Sequence, residues 1–557
     1  MSPSRKSPKG VEVRSTLIFI RSVGWTCCLF LLMVAVVVFY LARTDRIVNR
    51  VQAAEEEPVV SVTGGQIRGR PLPGAGTQFL GIPYAQPPVG NLRWHEPIAV
   101  KSWDGVREAK EFGSPCAQLV AGDWNRHDAE TSQEDCLYLN VLTPQWPPSK
   151  ERWPVMLWIH GGANTGGTAS SALYKDGTLV QHGVVLVTVN YRLGIFGFFA
   201  HPELTRESTH HASGNYALMD QIAALHWVHD NIAKFGGDPE NITVFGQSAG
   251  ALDTGLLMTS LLAKNLFHRA IAESGTVLLS IDAPPLAQAE QRGKEFADNL
   301  KAPAGEGVLK YLRALPAADL MQATRTFGNG GLQTVPIIDG WVLPRSPAEV
   351  FAAGEEAPIP FLLGNNTTEF AIPASADQIR KNIGEIYGEL APQALQVYGL
   401  AGGGSGTTDP LYGTTAGQWS ADLIFRCPAT AVAAWHSAAH DATYEYQFER
   451  AIPGQEASGA VHSADLPYVW GYFPKRGNIA GVFGDTDRKL ADLMENYWTT
   501  FAKAGNPNRD RLPSWPEYDG SQAYVAFTED GRPVGKAKLR EAQCDIYRQS
   551  LKQHLKH

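Results

Sequence analysis

The stretch "FGGDPENITVFGQSAGAL", Phe235 to Leu252, decides the reading of this chain. Ile242 to Phe245 form a short apolar, β-rich run, the signature of a buried strand. It ends in Gly-Gln-Ser-Ala-Gly, and an Ala/Leu-rich helical pattern follows at once. A serine fenced by glycines between strand and helix fits a sharp turn whose strained backbone lifts the Ser248 hydroxyl above the strand's C-terminal edge. The next residue, Ala249, begins the helix, so its N–H lacks an intrahelical acceptor and is available to an oxyanion. The five-residue pattern alone is common. Its place between a strand and a helix makes it informative.

Outward from that turn, apolar strand-like runs alternate with helical patterns. "WPVMLWIHGG", "GVVLVTVNYRLG", "APIPFLLGNN", "ATYEYQFE" and "AYVAFTED" read as strands. "NYALMDQIAALHWVHDNIAKF" and "ADLMENYWTTFAKAG" carry i, i+3, i+4 apolar spacing. Such alternation predicts an α/β protein with a large, mostly parallel sheet covered by helices on both faces. Gly-rich "LAGGGSGTTDPLYGTT" reads as a surface loop, and no internal repeat or later linker divides residues 58–557, which are expected to form one domain.

The N-terminus is a separate object. A basic tail, residues 1–21, precedes 21 uncharged residues, Ser22 to Ala42, and a linker over residues 43–57. An apolar run of that length spans a bilayer and exceeds a usual signal-peptide core. Arg43, Arg46 and Arg50 make an unusual cleavage region, which favours a signal anchor over a cleaved signal. Both readings export the body across a membrane, with the basic tail left in the cytoplasm if the segment stays. Without its first 54 residues the chain keeps 40 basic and 54 acidic side chains, a net charge of −14. That charge, with no basic patch interleaved with aromatics, argues against nucleic-acid partners.

The blocks around the turn resemble the type-B carboxylesterase/cholinesterase family. "FGGDPENITVFGQSAG" is similar to its nucleophile signature and "EDCLYLNVLTP", Glu134 to Pro144, to its second signature. "FLGIPYAQPPVGNLRW", "WIHGGA", "VTVNYRLGIFGF" and "FHRAIAESG" resemble further recurring blocks, so the likeness runs from about Val59 to the last helix. It implies an α/β-hydrolase fold and a serine esterase needing no metal or organic cofactor. Small-molecule esters are the implied substrates.

Carried over residue by residue, the resemblance places the acid at Glu369 in "LLGNNTTEF" and the base at His462 in "AVHSADLPYVW". The order Ser, Glu, His is that of α/β-hydrolases. It also implies an oxyanion hole from the N–H groups of Gly162, Ala163 and Ala249. Ala163 stands where many members have a third glycine. Gln247 stands where many carry glutamate; it is expected to reach toward Ser274 and Asp465 in a buried network behind His462. Lacking the charge, Gln247 should disfavour cationic substrates relative to neutral ones.

The family pairs Cys116 with Cys136, and cholinesterase-like members pair the counterparts of Cys427 and Cys544. Four paired cysteines fit an oxidising compartment, and no C-x-x-C spacing supports a metal site. Trp124 falls in the Cys116–Cys136 loop, where cholinesterases carry a cation-binding tryptophan; a merely packed tryptophan is the plainer reading. The sequons at Asn241, Asn365 and Asn366 lie inside family blocks and read as chance matches. Two rivals stand beside the esterase. One is a lipase, carbamate or amide hydrolase with the same triad, marked by an apolar rim that the sequence does not locate. The other is a non-catalytic binding relative, against which the presence of all three residues argues. Acyl and alcohol preference and oligomeric state are not legible.

Overall fold

The structure is a computed structural model that describes residues 57–72, 76–174, 177–281, 283–305, 307–439 and 442–555. The hydrophobic stretch 22–42 lies outside these residues. Among the described residues no helix is long and apolar enough to cross a membrane. Pro58–His557 forms one compact unit.

Its centre is an 11-stranded sheet. The strands of the chain are β1 Val59–Val62, β2 Gly65–Arg68, β3 Arg70–Pro71, β4 Thr77–Pro83, β5 Val106–Glu108, β6 Tyr138–Thr143 and β7 Trp153–Ile159. They continue with β8 Val185–Val189, β9 Gly237–Gln247, β10 Arg269–Glu273, β11 Phe361–Asn366, β12 Thr443–Phe448, β13 Ala523–Phe527 and β14 Pro533–Ala537. The order across the large sheet is β14-β13-β12-β11-β10-β9-β7-β8-β6-β4-β3, with β1, β2 and β5 in a separate small sheet. From β13 to β8 every pairing is parallel, while β14, β6, β4 and β3 join antiparallel at the two edges.

Both faces of the parallel block are covered, so its central strands are buried on nearly every residue rather than alternately, polar ones such as Glu445 and Gln447 of β12 included. Alternation still decides which side each residue serves. Val155, Leu157 and Ile159 of β7 join Ile242 and Val244 of β9 in one core, while Met156, Trp158 and Phe245 face the other. The second core is aromatic: Trp158 lies 4.8 Å from Phe245 and 5.1 Å from Trp470 between ring centroids. Strand β9 begins earlier than its four apolar residues foretell. Gly237 pairs with Trp153, and the register then shifts before Ile242 meets Val155.

Disulfides join Cys116 to Cys136 and Cys427 to Cys544, closing spans of 20 and 117 residues. In the chain-entropy picture they restrict the unfolded chain by about 3 and about 5 kcal/mol respectively. Bonds of this kind persist in an oxidising, exported environment. The Asn365 and Asn366 side chains are fully buried, so neither of those sequons is an open acceptor, while the partly buried Asn241 accepts from Arg269 through its amide oxygen.

Candidate active site

The C-terminal ends of the parallel strands face one side of the sheet, and that edge is where α/β proteins build sites. Ser248 follows β9 at φ 58°, ψ −120°, a region that L-residues rarely adopt, and caps the helix Ala249–Thr259. Its N–H is held by the Glu273 carbonyl at 2.8 Å, and its own carbonyl accepts from Ala251 and Leu252. The flanking glycines answer to space. A Cβ on Gly250 would lie 2.0 Å from the Ile159 carbonyl oxygen, and one on Gly246 would lie 2.4 Å from that of Gly250. No side chain fits there.

Glu369 sits three residues past β11, and His462 follows an isolated bridge between Glu369 and Val461. This bridge brings together residues 93 apart in sequence: His462 Nδ1 donates to Glu369 Oε2 at 2.6 Å, with both side chains almost fully buried. Glu369 Oε1 accepts from the Ser274 hydroxyl and from the Asn366 N–H, each at 2.7 Å. The Asn366 amide in turn donates to Asp465 at 3.2 Å, and Tyr446 donates to the other oxygen of Asp465 at 2.9 Å. Fixed donors on one oxygen leave the second for the imidazole, which orients the ring with its Nδ1–H toward the carboxylate. Burial, with Glu369 nearby, raises the Asp465 carboxyl above its ordinary range.

After β7, His160 to Asn164 form a tight loop in which Gly162, Ala163 and Asn164 all hold positive φ. Gly161 is pressed against the nucleophile; a Cβ there would lie 3.1 Å from Ser248 Cβ. Among the described residues the N–H groups of Gly162, Ala163 and Ala249 make no backbone hydrogen bond, as an oxyanion cradle requires. His160 secures the loop from below. Its Nδ1–H donates to the Gly161 carbonyl at 2.8 Å, the Tyr191 hydroxyl donates to its carbonyl at 2.6 Å, and burial lowers its pKa to about 4, so it stays neutral.

The match of a family model settles the lineage: the Carboxylesterase family model covers residues 56–547. The chain belongs to this family. Relatives include fumonisin B1 esterase of Sphingopyxis macrogoltabida, 34% identical over 83% of this chain and 84% of that protein. Liver carboxylesterase 1 of Oryctolagus cuniculus is 33% identical over 87% of this chain and 92% of its own. Among solved structures, a PNB esterase shares 31% identity with a TM-score of 0.73, spanning 89% of this chain and all of its own. The protein is a carboxylic ester hydrolase with the α/β-hydrolase fold.

In this carboxylesterase Gln247 behaves differently from its expected place. It does not reach Ser274 or Asp465. Its Nε2 lies 3.1 Å from His462 Nε2 and 3.0 Å from the Ser463 hydroxyl. With Nδ1 protonated, Nε2 carries a lone pair, so the Gln247 amide donates to it. The Ser248 hydroxyl makes no hydrogen bond among the described residues, so the contact between the candidate base His462 and Ser248 is not closed. Such contacts often tighten only with substrate in place. The reason Gln247 turns this way is steric and electrostatic: Ser274 is already committed to Glu369, and Asp465 to Asn366 and Tyr446.

Four further features surround these residues, and all but Trp124 have no counterpart in the sequence motifs. Phe370 packs on the His462 ring at 4.1 Å and Phe425 at 5.0 Å between centroids. Phe370, against the imidazole, and Ile372, two residues further on, are half-exposed apolar side chains, candidates for the apolar rim that the sequence does not locate. Trp124, expected to be packed, is 47% exposed and lies over the oxyanion loop; a Cβ on Gly162 would lie 3.3 Å from its ring. Asp253, buried on the helix behind Ser248, accepts from Asn164 of the loop at 2.9 Å and from Gln221 at 2.6 Å. Burial outweighs those two bonds and lifts its pKa to about 7.

Proposed function

We propose that the chain is a serine carboxylesterase working through an acyl-enzyme on Ser248. His462 takes the Ser248 proton as the hydroxyl attacks the ester carbonyl, then gives it to the departing alcohol. Glu369 fixes the imidazole tautomer and stabilises the imidazolium. The N–H groups of Gly162, Ala163 and Ala249 receive the oxyanion, where losing one donor typically costs about 100-fold or more in rate. Water, activated by the same imidazole, then releases the acid.

The observation that carries this reading is the 2.6 Å bond from His462 to a buried carboxylate beside a serine held at a strained turn. Gln247 is the residue that has to give way as Ser248 engages His462. The apolar rim of Phe370 and Ile372 supports acceptance of esters with an apolar acyl or alcohol group. We also place the catalytic body outside the cytoplasm, carried there by the segment 22–42 acting as anchor or leader.

The test uses a 4-nitrophenyl ester panel of increasing acyl length on the purified protein. The intact enzyme is expected to release alcohol in a burst. Ser248→Ala is expected to lose the burst and roughly 10⁴-fold or more in rate. Equal rates from both proteins would end the acyl-enzyme proposal.

A further inference from the structure

Beside the oxyanion loop lies a cavity of about 240 Å³, separate from the apolar rim. Thr165 forms part of its wall and belongs to the oxyanion loop, bonding to the Gly162 carbonyl through both its N–H and its hydroxyl. Gly194, also in the wall, donates its N–H to the Asn164 carbonyl. The same backbone that is placed to meet the oxyanion therefore shapes this space.

The charge around it is one-sided. Arg325 is the single charged residue in the lining, and no aspartate or glutamate contributes to it. Arg325 is exposed to solvent, and its guanidinium donates to the Val120 carbonyl on the disulfide-closed loop, which ties it to the wall. Among the described residues Arg325 has no carboxylate partner. One of its five N–H groups is used by that bond, leaving a planar fork uncommitted. Thr324, Thr334 and Gln118 add neutral hydrogen-bonding groups.

We infer that this cavity selects esters bearing a second, free carboxylate, held by the Arg325 guanidinium while the ester lies at Ser248. The inference rests on the esterase reading above and narrows its substrate class. Size sets the scale: at about 30 Å³ per water, the cavity holds the volume of about eight waters. A short acid of four to six carbons fits that volume. The body's negative charge does not oppose this, because exposed charges beyond a Debye length of about 8 Å are screened at physiological salt, whereas a bidentate contact is local.

The experiment measures kcat/KM for 4-nitrophenyl half-esters of succinate, glutarate and adipate beside neutral esters of matched length. A second arm places the charge on the alcohol, using the acetyl ester of 4-hydroxybenzoate beside 4-nitrophenyl acetate. In Arg325→Gln the charged member of at least one arm is expected to fall about five- to ten-fold while neutral esters stay within two-fold. Arg325→Lys should retain part of the preference, and 0.5 M salt should erode it in the parent enzyme. The arm that responds tells whether the carboxylate belongs to acid or alcohol. If the charged-to-neutral ratio is unchanged by Arg325→Gln in both arms, the inference is wrong and the esterase reading stands. If neutral esters are not turned over in a Ser248-dependent way, it is that reading that fails.

Discussion

On one side of the active site the chain contributes almost only backbone: the Ser248 turn and the N–H groups of Gly162, Ala163 and Ala249. On the other it contributes mainly side chains, in the line Ser274, Glu369, His462, Gln247, with the Asn366 N–H as the one backbone donor to Glu369. The backbone side is defined by absence of volume, since carbonyl oxygens lie within 2.0 to 2.4 Å of where Cβ atoms would stand on Gly250 and Gly246. The side-chain side is defined by which hydrogen bond each oxygen and nitrogen accepts. Added bulk should therefore destroy the first, and isosteric changes of charge should retune the second.

The largest effect is expected at Gly250→Ala. The new methyl group meets the Ile159 carbonyl oxygen, so strand β7 and the helix behind Ser248 must separate. We expect loss of activity of roughly 10³-fold or failure to fold. Thermal melts beside ester kinetics separate the two, and a variant that is both stable and active would break the contrast.

Asp253→Asn probes the buried tether between the oxyanion loop and the helix. A folded pKa of about 7 lies above the ordinary carboxylate value, so the native state holds the proton more tightly than the unfolded chain. The contribution of Asp253 to native stability should thus be fullest below about pH 4 and should decline as pH rises toward 7. The amide cannot ionise, so the variant should flatten that decline and be more stable at pH 8 by up to roughly 4 kcal/mol. The unpartnered carbonyl oxygens of Asn164 and Gln221 agree with a neutral acid at this place. Urea denaturation at pH 5 and pH 8 measures it; parallel losses at both values would show that Asp253 is charged in the fold.

The smallest change is Gln247→Glu. It puts a negative charge about 3 Å from His462 Nε2, in a site already flanked by Glu369, Asp465 and the buried Glu273. The acid limb of the kcat/KM profile should move up by about one pH unit, with a several-fold loss near neutrality that recovers in alkali. Choline esters should lose less than neutral esters. A profile that stays in place would mean that Gln247 does not face the base during turnover.

Much of this was legible in the chain. The strand-turn-helix reading of Phe235 to Leu252 depends on local sequence, and β9 with its helix appears there, though the strand starts earlier because Gly237 pairs across the register shift. The candidate acid and base needed the family blocks, since Glu369 and His462 are 93 residues apart and only the bridge at Val461 joins them. Gln247 shows where motif reading stops. Its neighbours in sequence are fixed by the turn, but its partners lie 215 and 216 residues away and depend on Ser274 and Asp465 being otherwise engaged.

The sequence by itself determined the α/β architecture, the order of the three candidate catalytic residues and the glycines of the turn. The architecture and the glycines follow from local backbone demands and from burial on both sheet faces, and the order of the three residues from the family resemblance. Only the tertiary structure decided that Phe370 lies against the imidazole, that Asp253 ties the loop after β7 to the helix behind Ser248, and that Arg325 lines a cavity with no carboxylate beside it. Each of those is a contact between distant segments, and no short stretch of chain specifies what a loop hundreds of residues away will leave unpaired.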